Sequence, residues 1–175
     1  MITIQITDGT ALNDEAGWLS RLRSEVDFIQ VRERDAPARD LARLVRAAMR
    51  IAPVLVNDRA DVAIACGAAG VHLRAGSIAP ADIKNLAPLM VSVSCHCAED
   101  VDAALGADYA VLAPIFAPLS KTDSRPSLGL NTLRKVCAAS GLPIIALGGI
   151  TTANATECMA AGAAGVAGIT LFRRA

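Results

Sequence analysis

The sequence predicts an α/β fold in which eight parallel strands alternate with helices and close into a compact (β/α)8 barrel, the TIM barrel. Short apolar runs rich in Val and Ile alternate with amphipathic runs along all 175 residues. Eight of the apolar runs have the length of a strand. Runs such as 54–56 and 144–147 are apolar at every position, which is typical of strands covered on both faces. Strands separated by helices pair in parallel. A doubly wound open sheet is the alternative, but eight units in one domain favour closure.

The predicted elements follow one another in a regular order. Strands are expected at 2–6, 27–32, 53–56, 70–73, 90–94, 108–112, 143–147 and 165–169. Helices are expected at 12–23, 37–50, 60–66, 79–86, 98–105, 128–139 and 152–161. The second helix has the clearest pattern, because Leu41, Leu44, Val45 and Ala48 form one apolar stripe and its arginines lie away from it, as on a solvated face. One domain, residues 1–175, is expected to contain all of these elements.

The end of the chain differs from the usual barrel. Only residues 171–175 follow the eighth predicted strand, and 175 residues is below the ~200 that this barrel usually takes. We therefore expect the eighth helix to be short or absent. The uncovered end of strand 8 is expected to pack on a second copy of the chain, which would make a homo-oligomer.

Composition excludes several classes of function. Seventeen basic and seventeen acidic residues give no net charge, so neither nucleic acid nor an anionic membrane is expected as a partner. No apolar stretch reaches the ~20 residues of a membrane span, and no secretory signal opens the chain. The five cysteines are odd in number and scattered, which favours reduced thiols in a cytoplasmic protein.

Glycines follow the last two predicted strands. The seventh runs into Gly148 and Gly149, and the eighth ends in Gly168-Ile-Thr170. Backbone N–H groups at such turns can approach a phosphate closely, and the loops after strands 7 and 8 are the usual phosphate site of a (β/α)8 barrel. The alternative is that these glycines only allow tight packing between helix and sheet.

Polar side chains lie at the ends of the other predicted strands or just after them. Because the carboxyl ends of all strands in a parallel barrel meet at one face, these side chains are expected to converge there. Arginines, a lysine, an aspartate and glycine N–H groups at one mouth suit a polyanionic ligand with a divalent metal. The residues, in strand order, are Thr7 and Asp8; Gln30, Arg32 and Arg34; Asn57, Asp58 and Arg59; His72 and Ser77; Ser94 and His96; Ser120 and Lys121.

Six motifs in this order resemble one known family. They are Gln30-Val-Arg-Glu-Arg34, Val56-Asn-Asp-Arg59, Gly70-Val-His-Leu73, Val93-Ser-Cys-His96, Ile115-Phe with Ser120-Lys121, and Leu147-Gly-Gly-Ile-Thr151. Together they span nearly the whole chain and look like the thiamine phosphate synthase/TenI family. The resemblance implies a (β/α)8 barrel that joins an aminopyrimidine methyl diphosphate to a thiazole phosphate and releases diphosphate, with Mg²⁺ as cofactor and small phosphorylated molecules as substrates.

The resemblance also implies roles for individual residues. Family contacts to the pyrimidine and the diphosphate fall on Gln30, Arg32, Arg34, Asn57, Ser94 and Lys121, of which Arg32, Ser94 and Lys121 are expected to be catalytic. Thiazole phosphate contacts fall on the 118–120 loop with Ser120, and on Gly149, Ile169 and Thr170. Asp58 takes the position of a magnesium ligand. Ser77 stands where a second metal-ligating Asp is usual, so it is at best a weak ligand.

Some departures favour other functions. Loss of the second carboxylate at Ser77 would suit the TenI-like thiazole tautomerases, which need no magnesium. Those enzymes carry a His where this chain has Pro114, so His72 or His96 would have to act as acid and base. A non-catalytic protein that binds a phosphorylated ligand is a third possibility.

Several candidate residues also have plainer interpretations. Asp58 could cap the helix predicted at 60–66. Lys121 could be ordinary surface charge, His72 a packed polar residue, and Thr170 no more than the end of a strand. Zinc binding by the Cys95-His96-Cys97 run is not expected, because consecutive residues do not offer the usual ligand spacing.

Overall fold

The computed structural model describes residues 1–117 and 126–172 and confirms the barrel. Its strands pair in parallel in the order β1-β2-β3-β4-β5-β6-β7-β8, and β8 pairs with β1 to close the sheet. The closed ring rules out the open-sheet alternative. The strands are β1 (Ile2–Ile6), β2 (Phe28–Val31), β3 (Val54–Asn57), β4 (Gly70–Leu73), β5 (Met90–Cys95), β6 (Tyr109–Leu112), β7 (Ile144–Ala146) and β8 (Gly165–Gly168).

A helix follows each of the first seven strands. The helices are α1 (Glu15–Ser20), α2 (Ala38–Ala48), α3 (Ala60–Cys66), α4 (Pro80–Leu86), α5 (Ala98–Ala103), α6 (Gly129–Ala139) and α7 (Ala155–Ala160). The part of the chain that the structure describes contains no helix after β8, as expected. Among these helices, none has both the length and the apolarity that crossing a membrane requires.

Two helices begin three residues later than predicted. The first was expected at 12–23 but begins at Glu15, because the Asp14 carboxylate accepts a hydrogen bond from the Gly17 N–H and caps the helix there. The seventh was expected from 152 but begins at Ala155, because Asn154 and Thr151 form a hydrogen-bonded turn before it. Both turns use local side-chain bonds that compete with the helix.

Apolar side chains form two cores, one on each side of the sheet. The larger lies between the strands and the surrounding helices and includes Trp18, Leu44 and Leu133. The smaller fills the inside of the barrel with residues such as Ile4, Leu55 and Ile145. The strand period of two sends alternate residues to the two cores. Continuing that alternation past the strand ends directs the inner-facing residues toward the open end of the barrel.

Candidate active site

The carboxyl ends of the strands surround a cavity of about 690 Å³. Its lining comes from residues in and after β1 to β8, so it is the mouth at which the polar strand ends were expected to meet. Most of the predicted site residues lie there together. Those that line the cavity are Gln30, Arg32, Arg34, Asn57, Asp58, Ser94, Gly149, Ile169 and Thr170. Ser120 and Lys121, with the rest of the 118–125 segment, lie outside the described residues.

Two amide side chains connect the ends of β2 and β3. The Gln30 Nε2 group donates to Asn57 Oδ1 at 3.1 Å, and the Asn57 Nδ2 group lies 3.3 Å from Asp58 Oδ2. Because each amide holds the next group, the orientation of Asp58 is coupled to a buried residue inside the barrel. Such a row of fixed donors and acceptors suits the edge of a polar heterocycle.

Asp58 has an unusual backbone that turns its carboxylate toward the cavity. Its φ is +57°, a left-handed conformation that few residues other than glycine adopt. The Asp58 N–H donates to the His72 carbonyl at 2.8 Å, and Oδ1 accepts from the Arg74 N–H at 2.9 Å. The interpretation of Asp58 as a helix cap is wrong: Arg59 takes the N-cap position of α3, and no side chain caps that helix.

Arginine side chains give the mouth a positive charge. Arg32, Arg34, Arg59 and Arg74 all line the cavity, against the carboxylates of Asp58 and Glu33. Burial lowers the pKa of Arg32, and the nearby charge of Arg34 lowers it further, although Glu33 and Asp58 oppose this. Within the described residues the Arg32 guanidinium donates no hydrogen bond, since the residue's one bond is from its backbone N–H to Thr7 Oγ1. An anion in the cavity would relieve this repulsion and desolvation.

Glu33 does not neutralise these arginines directly, because its carboxylate is engaged elsewhere. It is buried and accepts hydrogen bonds from Thr7 Oγ1 at 2.8 Å, the Ala11 N–H at 3.1 Å and Trp18 Nε1 at 3.0 Å. These three donors come from the segment between β1 and α1 and from α1 itself. Glu33 therefore fixes that segment against β2, while Arg32 and Arg34 on either side of it face the cavity.

The opposite side of the mouth presents backbone N–H groups. Gly148 and Gly149 both have positive φ, and a Cβ on Gly149 would lie 2.5 Å from the Ala117 carbonyl oxygen. Tight packing therefore does require these glycines. The N–H groups of Gly149, Ile169 and Thr170 nevertheless donate to no other group in the described ranges. These glycines can therefore allow the close packing and still offer backbone N–H groups to an anion.

Comparison with known proteins identifies the family. The sequence model of a family described as thiamine monophosphate synthase matches residues 4–172. The chain belongs to the thiamine monophosphate synthase family. It is 44% identical over 150 residues to the thiamine-phosphate synthase of Methanoculleus marisnigri, a match that covers 81% of this chain and 71% of that protein. A second relative, the thiamine-phosphate synthase of Methanoregula boonei, is 44% identical over 151 residues, covering 81% of this chain and 69% of the relative.

A solved structure in the same family has a similar fold. The chain superimposes on thiamine phosphate pyrophosphorylase from Pyrococcus furiosus with a TM-score of 0.81 at 30% sequence identity. The match covers 95% of this chain and 84% of the other. The family resemblance predicted from the six motifs is therefore confirmed.

Ser77 lies apart from the rest of the site in this family member. It is exposed in the turn after β4, where its N–H donates to the Arg74 carbonyl at 3.2 Å and Gly76 has a φ of +73°. It is not among the residues that line the cavity. The part of the chain described here also contains no group of three or more His, Cys, Asp or Glu side chains arranged to hold a metal ion.

The two histidines that border the cavity differ in their hydrogen-bond partners. His72 is buried, its Nδ1 lies 2.9 Å from Ser92 Oγ, and burial lowers its pKa to about 4, so the ring is neutral at neutral pH. His96 Nδ1 lies 2.9 Å from the Ala113 carbonyl. Because a carbonyl only accepts, this nitrogen carries the proton and Nε2 of a neutral ring is the acceptor.

The sequence reasoning missed Arg74 at the mouth, and it named Arg59 at the end of the third predicted strand without giving it a role. Arg59 follows Asp58, and Arg74 follows β4 two residues after His72. The strand alternation contains the signal for Arg74, since residues two apart share a face. Its connection to Asp58 could not be read in this way, because it depends on the backbone turn at Asp58.

Proposed function

We propose that this chain is a thiamine-phosphate synthase, which transfers the aminopyrimidine methyl group from its diphosphate to a thiazole phosphate and releases diphosphate. One observation carries the proposal. One cavity has arginines on one side, and on the other it has backbone N–H groups that donate to no described residue, so it offers separate places for two phosphorylated molecules. The names of the family's relatives, thiamine-phosphate synthase and thiamine phosphate pyrophosphorylase, support the same activity.

The reaction needs charge stabilisation more than acid–base chemistry. The bond between the methylene carbon and the diphosphate oxygen breaks, and its electron pair leaves with the diphosphate. The lone pair of the thiazole nitrogen then forms the new C–N bond. We assign Arg32 and Arg34, which line the cavity, to the negative charge that grows on the leaving group, because interactions that strengthen with this charge lower the barrier.

The remaining groups bind and orient the two substrates. Gln30 and Asn57 form the amide row that we assign to the pyrimidine ring, with Ser94 beside it in the cavity lining. The N–H groups of Gly149, Ile169 and Thr170 are assigned to the thiazole phosphate. Holding both reactants in line makes the second step effectively unimolecular. Ser120 and Lys121 keep their predicted roles on the thiazole phosphate and on the leaving diphosphate.

Asp58 fits the part of one magnesium ligand. Mg²⁺ is often bound by one or two carboxylates together with phosphate oxygens and water, and Asp58 is a carboxylate at the arginine side of the cavity. Ser77 is left out of the proposed site because it does not line the cavity. When bound, the metal would add positive charge at the leaving diphosphate.

The tautomerase remains a second candidate because of His96. Its Nε2 is the acceptor nitrogen of the neutral ring, as a general base requires, and the residue lines the cavity. His72 suits this role less well, since a pKa of about 4 makes it a weak base at neutral pH. The relatives compared above carry the name of the synthase, which favours the first candidate.

One assay separates these possibilities. The purified protein is given the pyrimidine diphosphate and the thiazole phosphate with Mg²⁺, and both thiamine phosphate and released diphosphate are measured. The synthase predicts equal amounts of the two products, loss of both in the Asp58→Ala variant, and little change in Arg39→Ala, a variant of the solvated face of α2. Metal-independent isomerisation of a thiazole carboxylate phosphate that is lost in His96→Ala would instead establish the tautomerase. Binding of both ligands without turnover would instead support a non-catalytic protein that binds phosphorylated ligands.

Three further expectations accompany this proposal. A cytoplasmic location, small phosphorylated substrates as the partners and a homo-oligomer formed through the end of β8 all stay predictions. The last is measured by light scattering, and a monodisperse monomer at micromolar concentration would contradict it.

A further inference from the structure

Within the part of the chain that the structure describes, Arg74 is the side chain that forms an ion pair with Asp58, the proposed metal ligand, and it has no role in the mechanism above. It follows β4 directly and lines the cavity. Its Nε atom lies 3.6 Å from Asp58 Oδ2. The carboxylate that fits a magnesium ion is therefore already paired with a positive charge.

The position of Asp58 does not depend on the Arg74 side chain. Oδ1 is held by the backbone N–H of Arg74 at 2.9 Å, and the Asp58 N–H is bound to the His72 carbonyl. Oδ2 is the atom that faces the Arg74 guanidinium and the Asn57 amide. Truncating the arginine beyond Cβ would remove the cation and leave both backbone bonds in place.

The guanidinium of Arg74 has donors left for an anion. Its side chain is 78% exposed, and within residues 1–117 and 126–172 its only side-chain partner is Asp58. A guanidinium carries five N–H donors, so one contact through Nε leaves the terminal nitrogens unused. Such a group can bind two phosphate oxygens in parallel.

Arg59 provides a contrast on the same rim. Its Nε and one terminal nitrogen donate to the two carboxylate oxygens of Asp61 at 2.8 and 2.6 Å. This two-point pair uses the face of the guanidinium that would otherwise bind an anion. Arg59 and Arg74 therefore carry the same charge at the same cavity but differ in the donors they can offer.

We propose that Arg74 acts as an alternative cation at Asp58. In the empty site it neutralises Oδ2 and weakens the binding of a divalent metal. When a diphosphate group enters, the terminal nitrogens of Arg74 bind it, so diphosphate is held without metal and the metal binds together with it. This inference takes the identity of the anion from the proposed function, but the pairing with Asp58 does not depend on it.

The first test measures pyrophosphate binding without metal. Isothermal titration in EDTA compares the wild-type chain with Arg74→Ala, Arg74→Lys and Arg59→Ala. Loss of one charge-assisted contact corresponds to a Kd about tenfold weaker. We expect this loss in Arg74→Ala, partial recovery in Arg74→Lys, and a change of less than about twofold in Arg59→Ala. Equal losses in the two alanine variants would mean general charge attraction and would overturn the role of Arg74.

The second test measures metal binding without diphosphate. Free Mn²⁺ is followed by electron paramagnetic resonance as a stand-in for Mg²⁺, in the wild-type chain and in the same variants. Removing the competing cation should tighten Mn²⁺ binding about threefold or more in Arg74→Ala, and Asp58→Asn should abolish that gain. Unchanged Mn²⁺ affinity in Arg74→Ala would overturn the competition. If the wild-type chain binds no pyrophosphate at all, the diphosphate site of the proposed function is refuted. The Mn²⁺ measurement still tests whether Arg74 competes with a metal ion for Asp58.

Discussion

Replacing Gly149 by Ala tests both the packing and the anion cradle at the end of β7. Gly149 has a φ of +63°, and an added Cβ would lie 2.5 Å from the Ala117 carbonyl oxygen and 2.7 Å from Phe116 Cβ. A left-handed backbone costs a residue with a Cβ about 1–2 kcal/mol. Forcing an extra methyl group against backbone atoms costs about 1–3 kcal/mol more. We therefore expect the free energy of unfolding to fall by about 2–5 kcal/mol.

Two other glycines separate these contributions. Gly67 has a φ of +66° and open space where its Cβ would be, so Gly67→Ala should show the backbone cost alone. Gly141 also has open space and no positive φ, so Gly141→Ala should change stability little. Urea unfolding of the three variants gives the three values. If Gly149→Ala loses no more stability than Gly67→Ala, the close approach between the β7 turn and the loop after β6 is not real.

The same variant has a kinetic consequence under the proposed function. Relief of the clash would displace the Gly149 N–H that we assign to the thiazole phosphate. The KM for the thiazole phosphate should then rise about tenfold, as for one lost charge-assisted bond, while the KM for the pyrimidine diphosphate stays within about twofold. Equal increases in both constants would refute the assignment of this turn to the thiazole phosphate.

Three further predictions follow from the site. Replacing Glu33 by Ala leaves buried donors on Thr7 and Trp18 without an acceptor, so urea unfolding should show a loss of about 2–4 kcal/mol, against little change for an exposed Arg39→Ala control. His72 has a folded pKa of about 4 against about 6.5 when unfolded, so the unfolded chain binds more protons between these values. Stability should therefore be constant above about pH 6.5 and fall by about 3 kcal/mol as the pH drops to 4, and a His72→Gln variant should lose this dependence in pH-resolved unfolding curves. Replacing Arg32 by Ala should lower kcat of the proposed synthase reaction at least about a hundredfold, with partial recovery in Arg32→Lys, and equal rates in all three proteins would remove Arg32 from the reaction.

The barrel and most of its mouth could be predicted from the sequence because both depend on strand periodicity. Apolar runs separated by helical runs predicted eight parallel strands, and the polar residues at the carboxyl ends of those strands, such as Gln30, Asn57 and Ser94, do line one cavity. The chemistry beyond the strand ends could not be read as well. Periodicity stops where the strand stops, and the positive φ values of Asp58 and Gly76 then decide that Arg74 lies beside Asp58 while Ser77 does not reach the cavity.

The distribution of charge round the cavity agrees with the difference between the two proposed substrates. In the described ranges the arginines open to an anion follow β2 and β4, since Arg59 after β3 is paired with Asp61, whereas β7 and β8 contribute uncharged N–H groups. A leaving diphosphate gains negative charge in the transition state. Arginines beside it therefore stabilise the transition state more than the ground state, which lowers the barrier. The thiazole phosphate keeps its charge throughout, so stronger binding of it would lower its KM without raising kcat, and neutral donors are enough to hold it. The buried His72, on β4 and so on the arginine side, stays neutral at neutral pH, because burial above all and the charge of Arg32 lower its pKa to about 4 although Asp58 opposes this. Its neutrality leaves the arginines as the source of positive charge that the described residues offer to the leaving group.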